Sequence, residues 1–340
     1  MGSVKDLKVL KPATSAELGR GRFIFSDRYS VFDWGEMPDH IPDKGKSLAI
    51  VGGYFFEKLK EINIPSHYLG LVEEGEVKSL SQLSQPSEIM EIILVQVIKP
   101  EYKEGRYDYR SLKSARGGFL LPLEIIYRNC LPEGSSVFKR LKKGELKPED
   151  LGLKAMPQPG QKLDPPLLDV STKLEETDRY LSWEEAKEIS SLSDEELEQV
   201  KKIAQAINHL ITQEYEKIGL VNQDGKIELA LDLNRNLMVV DVLGTLDECR
   251  FTYQDIPVSK EIARIYYRRS EWYQAVEEAK ARDRENWKEI CRLSPEPLPP
   301  RLKELISQVY CATANHITGR EWFKGVGELS EILAEIKEYI

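Results

Sequence analysis

Two acidic residues on either side of a predicted β-hairpin have the arrangement of a metal site. Glu228 lies in the run 226–233 and Asp241 in the run 237–243, with Asn234-Arg235 between the two runs. Asparagine tolerates the left-handed conformation of tight turns, and a symmetric loop centred on this pair sets Glu228 directly opposite Asp241. Because opposed like charges destabilise a sheet, the pair favours a cation, and divalent Mg²⁺ prefers oxygen ligands. A solvated edge, with both side chains in water, is the alternative.

Basic residues accompany these acids. Lys226 shares a strand face with Glu228 by the period of two, and Arg250 follows shortly after the hairpin. Magnesium held by two acids is typical of a bound nucleotide phosphate. Lys173 and Asp178 lie in a second polar segment, 164–182, which is either part of the same site or a charged loop.

Two further segments combine small residues with arginine. Gly19-Arg20-Gly21-Arg22 precedes a predicted strand and matches neither common phosphate-loop pattern. It predicts close backbone approach to a phosphate or a tight turn with solvated arginines. Arg128-Asn129 ends an apolar run, and Gly134-Ser135-Ser136 follows. This pattern is typical of a cradle for phosphate or carboxylate, although an ordinary strand and turn would also explain it.

Composition limits the function classes. The chain has 340 residues with 41% hydrophobic and 31% charged residues, so we expect a globular protein of two or three domains. The net charge of −9 argues against a nucleic-acid partner. No apolar run reaches the roughly 18–20 residues that span a bilayer, and the N-terminal segment lacks a signal core, so we expect a cytoplasmic protein with no membrane partner.

Cysteine and histidine patterns give no sign of zinc. The four cysteines include no CxxC pair, and the four histidines include no paired ligand spacing. In the cytoplasm the cysteines would stay reduced. We interpret these residues as structural.

The hydrophobic pattern predicts a small, mainly antiparallel N-terminal lobe. A helix is expected over 44–62, ended by Asn63 and Pro65. Extended segments are predicted at 19–25, 30–34, 67–77 and 88–98. The polar segment 99–118 is interpreted as a hinge and connector.

A second lobe is predicted from residue 119. It opens with a strand over 119–131, and 139–166 forms a long surface excursion. Ser182 and Ser193 begin helices with capping-box patterns, and Gly219 follows the longer one. From 258 onward the pattern is mainly helical.

The motifs, taken in order, resemble the phosphoribosylaminoimidazole-succinocarboxamide synthase (SAICAR synthetase) family over about residues 18–270. LPLEIIYRN followed by Gly134-Ser135 is similar to the family's PxExxxRN…GS signature. PPLLDVSTKLEETDRYLS resembles its segment with S-T-K and a later D. DGKIE (224–228) matches D-x-K-x-E, and TLDECRF (245–251) resembles T-P-D-x-x-R-F.

The resemblance implies ATP-dependent ligation of L-aspartate to the carboxylate of carboxyaminoimidazole ribotide through an acyl phosphate. Glu228 and Asp241 would hold Mg²⁺, and Lys226 would neutralise charge at the transferred phosphoryl group. The remaining residues would contact the substrates. The ribotide phosphate would be bound by Arg128, Ser135 and Arg250. The imidazole or the aspartate would be contacted by Asp224, Lys173 and Asp178. Two lysines of the family usually cover the ATP phosphates, and Arg20 and Arg22 lie at their positions.

Two departures from the family pattern matter. Arginine is not equivalent to a point-charge lysine, so the phosphate contacts of Arg20 and Arg22 are open. The usual Asp-Glu pair is missing before 245, and a count from Asp247 would align Val242 with the metal acid. We choose Asp241, because valine cannot coordinate a cation.

The predicted architecture is therefore a two-lobed α+β fold, ATP-grasp or kinase-like. It has a nucleotide-binding lobe with hinge (1–118), a larger α/β lobe for substrates and metal (119–257) and C-terminal helices (258–340). We expect small-molecule partners and a homo-oligomer. The alternatives are a small-molecule kinase of related fold, a ligase for a different amine, or a non-catalytic nucleotide-binding protein.

Overall fold

The N-terminal lobe is a five-stranded antiparallel sheet covered by one helix. A computed structural model describes residues 4–284 and 286–340. The strands, which pair in the order β1-β2-β5-β3-β4, are β1 (Lys5–Lys11), β2 (Gly19–Phe25), β3 (Tyr68–Glu73), β4 (Glu76–Lys78) and β5 (Ile89–Leu94). Helix α1 (Lys44–Glu61) buries Leu48, Val51, Phe55 and Leu59, as the apolar spacing predicts.

The larger lobe is built on a six-stranded antiparallel sheet. Its strands are β8 (Phe119–Leu131), β9 (Gln161–Thr172), β10 (Val221–Leu231), β11 (Leu237–Val240), β12 (Cys249–Tyr253) and β13 (Ile256–Pro257). They pair in the order β13-β12-β10-β8-β9, and β11 pairs with the other part of β10. Strand β10 therefore has a neighbour on each side along its length and forms the centre of the lobe.

Helix α5 (Asp194–Glu216) covers one face of this sheet. Ser193 begins the helix with a complete capping box, which satisfies backbone N–H groups of the first turn. Its buried Val200 and Ile207 pack in the same core as Ile227 and Leu229 of β10. Fully burying each such side chain contributes about 1.5–3 kcal/mol. The opposite face of the sheet is left for the cleft between the lobes.

The predicted connector and the predicted excursion both contain structure. Segment 99–118 holds a hairpin, β6 (Glu101–Lys103) and β7 (Arg106–Asp108), and the short helix α2 (Arg110–Lys113). Segment 139–166 begins inside α3 (Ser136–Lys143) and ends inside β9. It contributes to a small apolar cluster around Leu131, Val137 and Leu163, which anchors it to the sheet.

Two predicted strands differ from the structure. Segment 67–77 is a hairpin, in which β3 and β4 are joined by a turn at Glu74-Gly75. Residues 30–34 form a turn, because Phe32 and Asp33 have φ angles of 56° and 63°, which no strand permits. Phe32 instead contacts Trp272 and Tyr273 with its ring.

Helices follow the second sheet, as predicted. After α4 (Trp183–Ser190) and α5 in the middle of the chain, the C-terminal helices are α6 (Glu261–Arg268), α7 (Glu271–Arg282), α8 (Trp287–Ile290), α9 (Pro300–Thr318) and α10 (Leu329–Ile336). One buried apolar cluster includes Phe25 of the first sheet, Ile125 of the second and Ile306 of α9. The domain boundaries at 118 and 257 stay a prediction.

None of the helices in the described part of the chain has the length and apolar character needed to cross a bilayer.

Candidate active site

The central sheet presents a polar face toward the first lobe. Along β10 the apolar Ile227 and Leu229 alternate with Asp224, Lys226 and Glu228, so the polar side chains share the face away from α5. Asp224 and Glu228 are only about 4% exposed. Buried charged groups in such a row require partners, and the neighbouring strands provide them.

A row of three charged residues crosses this face. Asp224 is the direct cross-strand partner of Arg128 on β8 and of Arg250 on β12. Arg250 Nε lies 2.7 Å from Asp224 Oδ1, and Arg128 Nη1 lies 3.4 Å from Asp224 Oδ2. Arg128 also donates to Asp169 Oδ2 at 3.3 Å. The two guanidinium groups are thus fixed side by side, an arrangement that suits a phosphate or carboxylate.

The turn into α3 lies beside this row. Ser135 is the N-cap of α3, and its hydroxyl accepts from Val137 N–H at 3.4 Å. Ser136 Oγ accepts from Arg128 Nη2 at 3.2 Å. A Cβ built on Gly134 would lie 3.7 Å from Arg250 Nη1, so the turn passes beside this guanidinium group. The structure therefore places the turn next to the predicted Arg128 and Arg250, but Ser136 contacts Arg128, whereas the predicted Ser135 caps the helix.

A second cluster, of lysines and glutamates, lies farther along the same face. Glu124 on β8 is the cross-strand partner of Glu228. Lys226 Nζ lies 2.9 Å from Glu124 Oε1 and 3.5 Å from Glu228 Oε1. Lys173, just beyond β9, lies 2.5 Å from Glu228 Oε1. Asp178 lies nearby at the surface, where partial desolvation and then the charge of Glu124 raise the pKa of its carboxyl. The predicted Lys173, Asp178, Lys226 and Glu228 therefore share one region of the cleft.

The predicted register of the hairpin is wrong by one residue. Glu228 pairs with Val240, and Leu231 pairs with Leu237 at the end of the ladder. Asp241 follows β11 with a φ of 64°, in the left-handed region. Its carboxylate nevertheless remains near Glu228, since it is the largest cause after burial of the raised pKa of Glu228.

The loop explains the shift. It is a five-residue connection, 232–236, rather than a two-residue turn. The Asp232 carboxylate accepts from the backbone N–H groups of Asn234 and Asn236, both at 2.8 Å. These bonds organise the wider loop, and the left-handed residue in it is Arg235, with a φ of 67°.

The two acids have opposite electrostatic surroundings. Burial raises the pKa of Glu228 to about 7, and Asp241 adds to the effect. Burial also acts to raise the pKa of Asp241, but Lys5 and Lys226 outweigh it and lower this pKa below its ordinary value. Lys5 Nζ lies 2.7 Å from Asp241 Oδ1. His67 Nε2 donates to the Asp241 carbonyl oxygen at 3.0 Å.

Lys226 stays charged. Burial lowers the pKa of Lys226, but Glu248 and Glu124 more than compensate, so the pKa lies above its ordinary value. A permanently protonated lysine can stabilise negative charge in the cleft throughout the physiological pH range.

Arg20 and Arg22 lie on β2 of the first lobe. Both guanidinium groups bind the carboxylate of Glu91, the Arg22 Nε–Glu91 Oε2 distance being 2.7 Å. Glu91 is 2% exposed, while the Arg20 side chain is 54% exposed. The contact with ATP phosphates stays a prediction for these arginines.

The donor set of the cleft fits a magnesium ion shared with a phosphate. No three His, Cys, Asp or Glu side chains come close enough to form a complete metal site within residues 4–284 and 286–340. Glu228 and Asp241 give two carboxylates, and Mg²⁺ is typically bound by one or two carboxylates together with substrate phosphates and water. Glu248 Oε2 is buried and lies 3.4 Å from Lys226 Nζ, so this third carboxylate is paired with the lysine between the two clusters.

An apolar patch adjoins these acids. Ala230, Met238 and Val240 pack with the partly buried Ile93 and Leu120, at the junction of the two lobes. Met238 pairs with Ala230, and Val240 pairs with Glu228, so the patch adjoins Glu228. Its three side chains are at most 6% exposed, so the patch is part of the contact between the lobes.

Several residues of the site were missed by sequence reasoning. Lys5, Glu91, Glu124 and Asp169 make close contacts with predicted residues. Glu124 stands inside the PxExxxRN motif and could have been found. Lys5 and Glu91 could not, because each comes from a strand far away in the chain.

The fold and cleft define a two-lobed, kinase-like protein. In solved structures, the SAICAR synthase of Saccharomyces cerevisiae complexed with SAICAR superposes with a TM-score of 0.66 at 18% identity, covering 95% of this chain and 94% of that one. A SAICAR synthetase in complex with ADP gives a TM-score of 0.56 at 20% identity, covering 87% and 99%. At these identities the likeness establishes the fold, and the predicted architecture is confirmed.

Sequence comparison is more specific. The sequence model of SAICAR synthetase matches residues 13–281. A protein of Archaeoglobus fulgidus, named provisionally as a phosphoribosylaminoimidazole-succinocarboxamide synthase, is 53% identical over 340 residues, the whole of both chains. The chain belongs to the SAICAR synthetase family, as the sequence motifs indicate.

Proposed function

We propose that this protein uses ATP to ligate L-aspartate to the carboxylate of carboxyaminoimidazole ribotide. One observation supports the proposal: Asp224, Lys226 and Glu228 of β10 lie on a single face of the sheet. Asp224 lies between two arginines, and Lys226 and Glu228 are surrounded by further charged side chains. The row that would bind the ribotide phosphate and the cluster that would assist phosphoryl transfer are thus on the same strand. Family membership supports this assignment.

The arginine row would bind the ribotide phosphate. Arg128 and Arg250 are preorganised by Asp224, which lies within 3.4 Å of Arg128 and 2.7 Å of Arg250. Ser135 and Ser136 would add hydroxyl or backbone donors. Because the arginines are held before the substrate arrives, less conformational entropy is lost on binding.

The phosphates of ATP would lie next to Glu228 and Asp241, the residues that would hold magnesium. The ion would supply a Lewis acid that neutralises the β- and γ-phosphate oxygens. Lys226, charged and 3.5 Å from Glu228 Oε1, would stabilise the charge that develops on the transferred group.

The reaction has two steps. The substrate carboxylate attacks the γ-phosphorus, which releases ADP and leaves an acyl phosphate. The aspartate amine then attacks the acyl carbon, a C–N bond forms, the C–O bond to phosphate breaks, and phosphate and a proton leave. Lys173 and Asp178, at the edge of the cleft, would position the ribotide or the aspartate.

A coupled assay tests the proposal. Purified protein would be incubated with ATP, Mg²⁺ and carboxyaminoimidazole ribotide, with and without aspartate, while ADP and product absorbance are followed. Product formation that requires aspartate is expected. ADP formation that ignores aspartate while another acceptor is phosphorylated would indicate a small-molecule kinase, and turnover with another amine alone would indicate a different ligase.

A further inference from the structure

The N-terminal strand brings a lysine into the cleft. Strand β1 is the edge strand of the first sheet and pairs with β2. It lies before residue 13, where the family match begins. Lys5, its first residue, places Nζ 2.7 Å from Asp241 Oδ1, and its side chain is only 16% exposed.

Two groups hold the Lys5 ammonium in place. Its Nζ forms an ion pair with the Asp241 carboxylate. The Nζ atom also lies 5.1 Å from the centre of the Phe23 ring, a cation–π distance. The ammonium group is therefore held at the metal acids by charge and by an aromatic face, rather than by the strand alone.

Both metal acids carry an ammonium group in this structure. Lys5 Nζ forms an ion pair with the Asp241 carboxylate, and Lys173 Nζ lies 2.5 Å from Glu228 Oε1. The arginines expected at the ATP phosphates, Arg20 and Arg22, are both engaged by Glu91. The position beside Asp241 is thus filled by a lysine, whose compact charge and flexible stem suit a phosphate.

We infer that Lys5 is a further nucleotide-binding residue, which neutralises Asp241 in the free protein and binds the β- or γ-phosphate of the magnesium nucleotide in the complex. The inference rests on the proposed function, since it assumes that Glu228 and Asp241 hold the ion. Lys5 would leave Asp241 when the carboxylate is needed as a ligand, and the phosphates next to the ion would accept its hydrogen bonds. The site would then keep its charge balance in both states.

Calorimetry can separate this role from a structural one. Lys5→Met should bind the magnesium complex of a non-hydrolysable ATP analogue about ten- to a hundredfold more weakly, the worth of a charge-assisted hydrogen bond. The same variant should bind Mg²⁺ alone at least as tightly as wild type, because Asp241 loses a competing cation. Lys11→Met is the matched control: Lys11 lies on the same strand, is 53% exposed and pairs with Glu17, so neither affinity should change.

Weaker binding of the magnesium nucleotide, with binding of Mg²⁺ alone unchanged or tighter, would support the inference, and a thermal melt would establish that each variant is folded. If Lys5→Met does not fold, Lys5→Gln, which keeps a polar donor, is measured with the same expected signs. Parallel weakening of both affinities, or no change in either, would overturn the inference. If the wild-type protein itself binds no magnesium nucleotide, the proposed function fails. This failure can be told apart from failure of the Lys5 inference, because it is seen in the wild-type protein before any variant is measured.

Discussion

Glu124 and Glu228 are direct cross-strand partners on β8 and β10, so two carboxylates occupy one step of the central ladder. Lys226 Nζ lies 2.9 Å from one and 3.5 Å from the other, and Lys173 Nζ lies 2.5 Å from Glu228. Opposed like charges destabilise a sheet. The two lysines offset the repulsion between the two carboxylates in the free protein. The cleft therefore contains both positively and negatively charged side chains.

Replacing Glu228 by glutamine should reduce kcat by about a hundredfold or more with the fold intact, because the amide removes a charged ligand but keeps the shape. ADP release at saturating substrates, together with the magnesium concentration for half-maximal rate, measures the effect. Glu216→Gln on the exposed face of α5 is the control. Near-normal turnover with an unchanged magnesium requirement would remove Glu228 from the metal site.

Replacing Arg250 by methionine should raise the KM for the imidazole ribotide about ten- to a hundredfold, since one charge-assisted contact to its phosphate is lost. The KM for ATP should stay close to the wild-type value. Steady-state kinetics with each substrate varied in turn measures both. Exposed Arg282→Met serves as the control, and an equal rise in both KM values would show a general disturbance of the cleft instead.

The buried pair of Lys44 and Asp247 should dominate local stability. Lys44 Nζ lies 2.7 Å from Asp247 Oδ2, and Tyr310 of α9 donates to Asp247 Oδ1 at 2.6 Å. Lys44→Met should cost about 3–5 kcal/mol in the free energy of unfolding, because it leaves a buried charge uncompensated. Tyr310→Phe should cost about 1–3 kcal/mol.

Urea unfolding monitored by tryptophan fluorescence would measure both losses. Lys46→Met, on the same helix but 40% exposed, should change stability by less than about 0.5 kcal/mol. A Lys44 variant as stable as wild type would mean that the pair makes no net contribution.

His67 should make stability fall as the pH is lowered. Burial lowers its pKa to about 4, whereas an unfolded histidine titrates near 6.5. Between these values the unfolded state binds more protons, so this residue reduces stability by about 2 kcal/mol between pH 7 and pH 5. Unfolding measured at both pH values should show a smaller loss in His67→Gln and an unchanged loss in His209→Gln, where the ring is exposed. Equal losses in all three proteins would contradict the assignment.

Local patterns predicted the helices better than the turns. Helix α1 and helix α5 follow from apolar spacing and, for α5, from a capping box. The hairpin at 226–243 was correctly placed, but its register depends on hydrogen bonds from the Asp232 side chain, which turn propensities do not reveal. The five-residue loop therefore shifted the register by one residue and changed the partner of Glu228 from Asp241 to Val240.

Local sequence features were enough to identify the family, the alternation of β10 and most charged residues in the cleft, because motifs and strand period are properties of neighbouring residues. Long-range packing instead sets the ion pair of Lys5 with Asp241, the contact of Glu91 with both Arg20 and Arg22, and the hydrogen bond from Tyr310 to Asp247. These contacts join residues that are far apart in the chain. Their geometry follows from how sheets and helices pack, which no local pattern encodes.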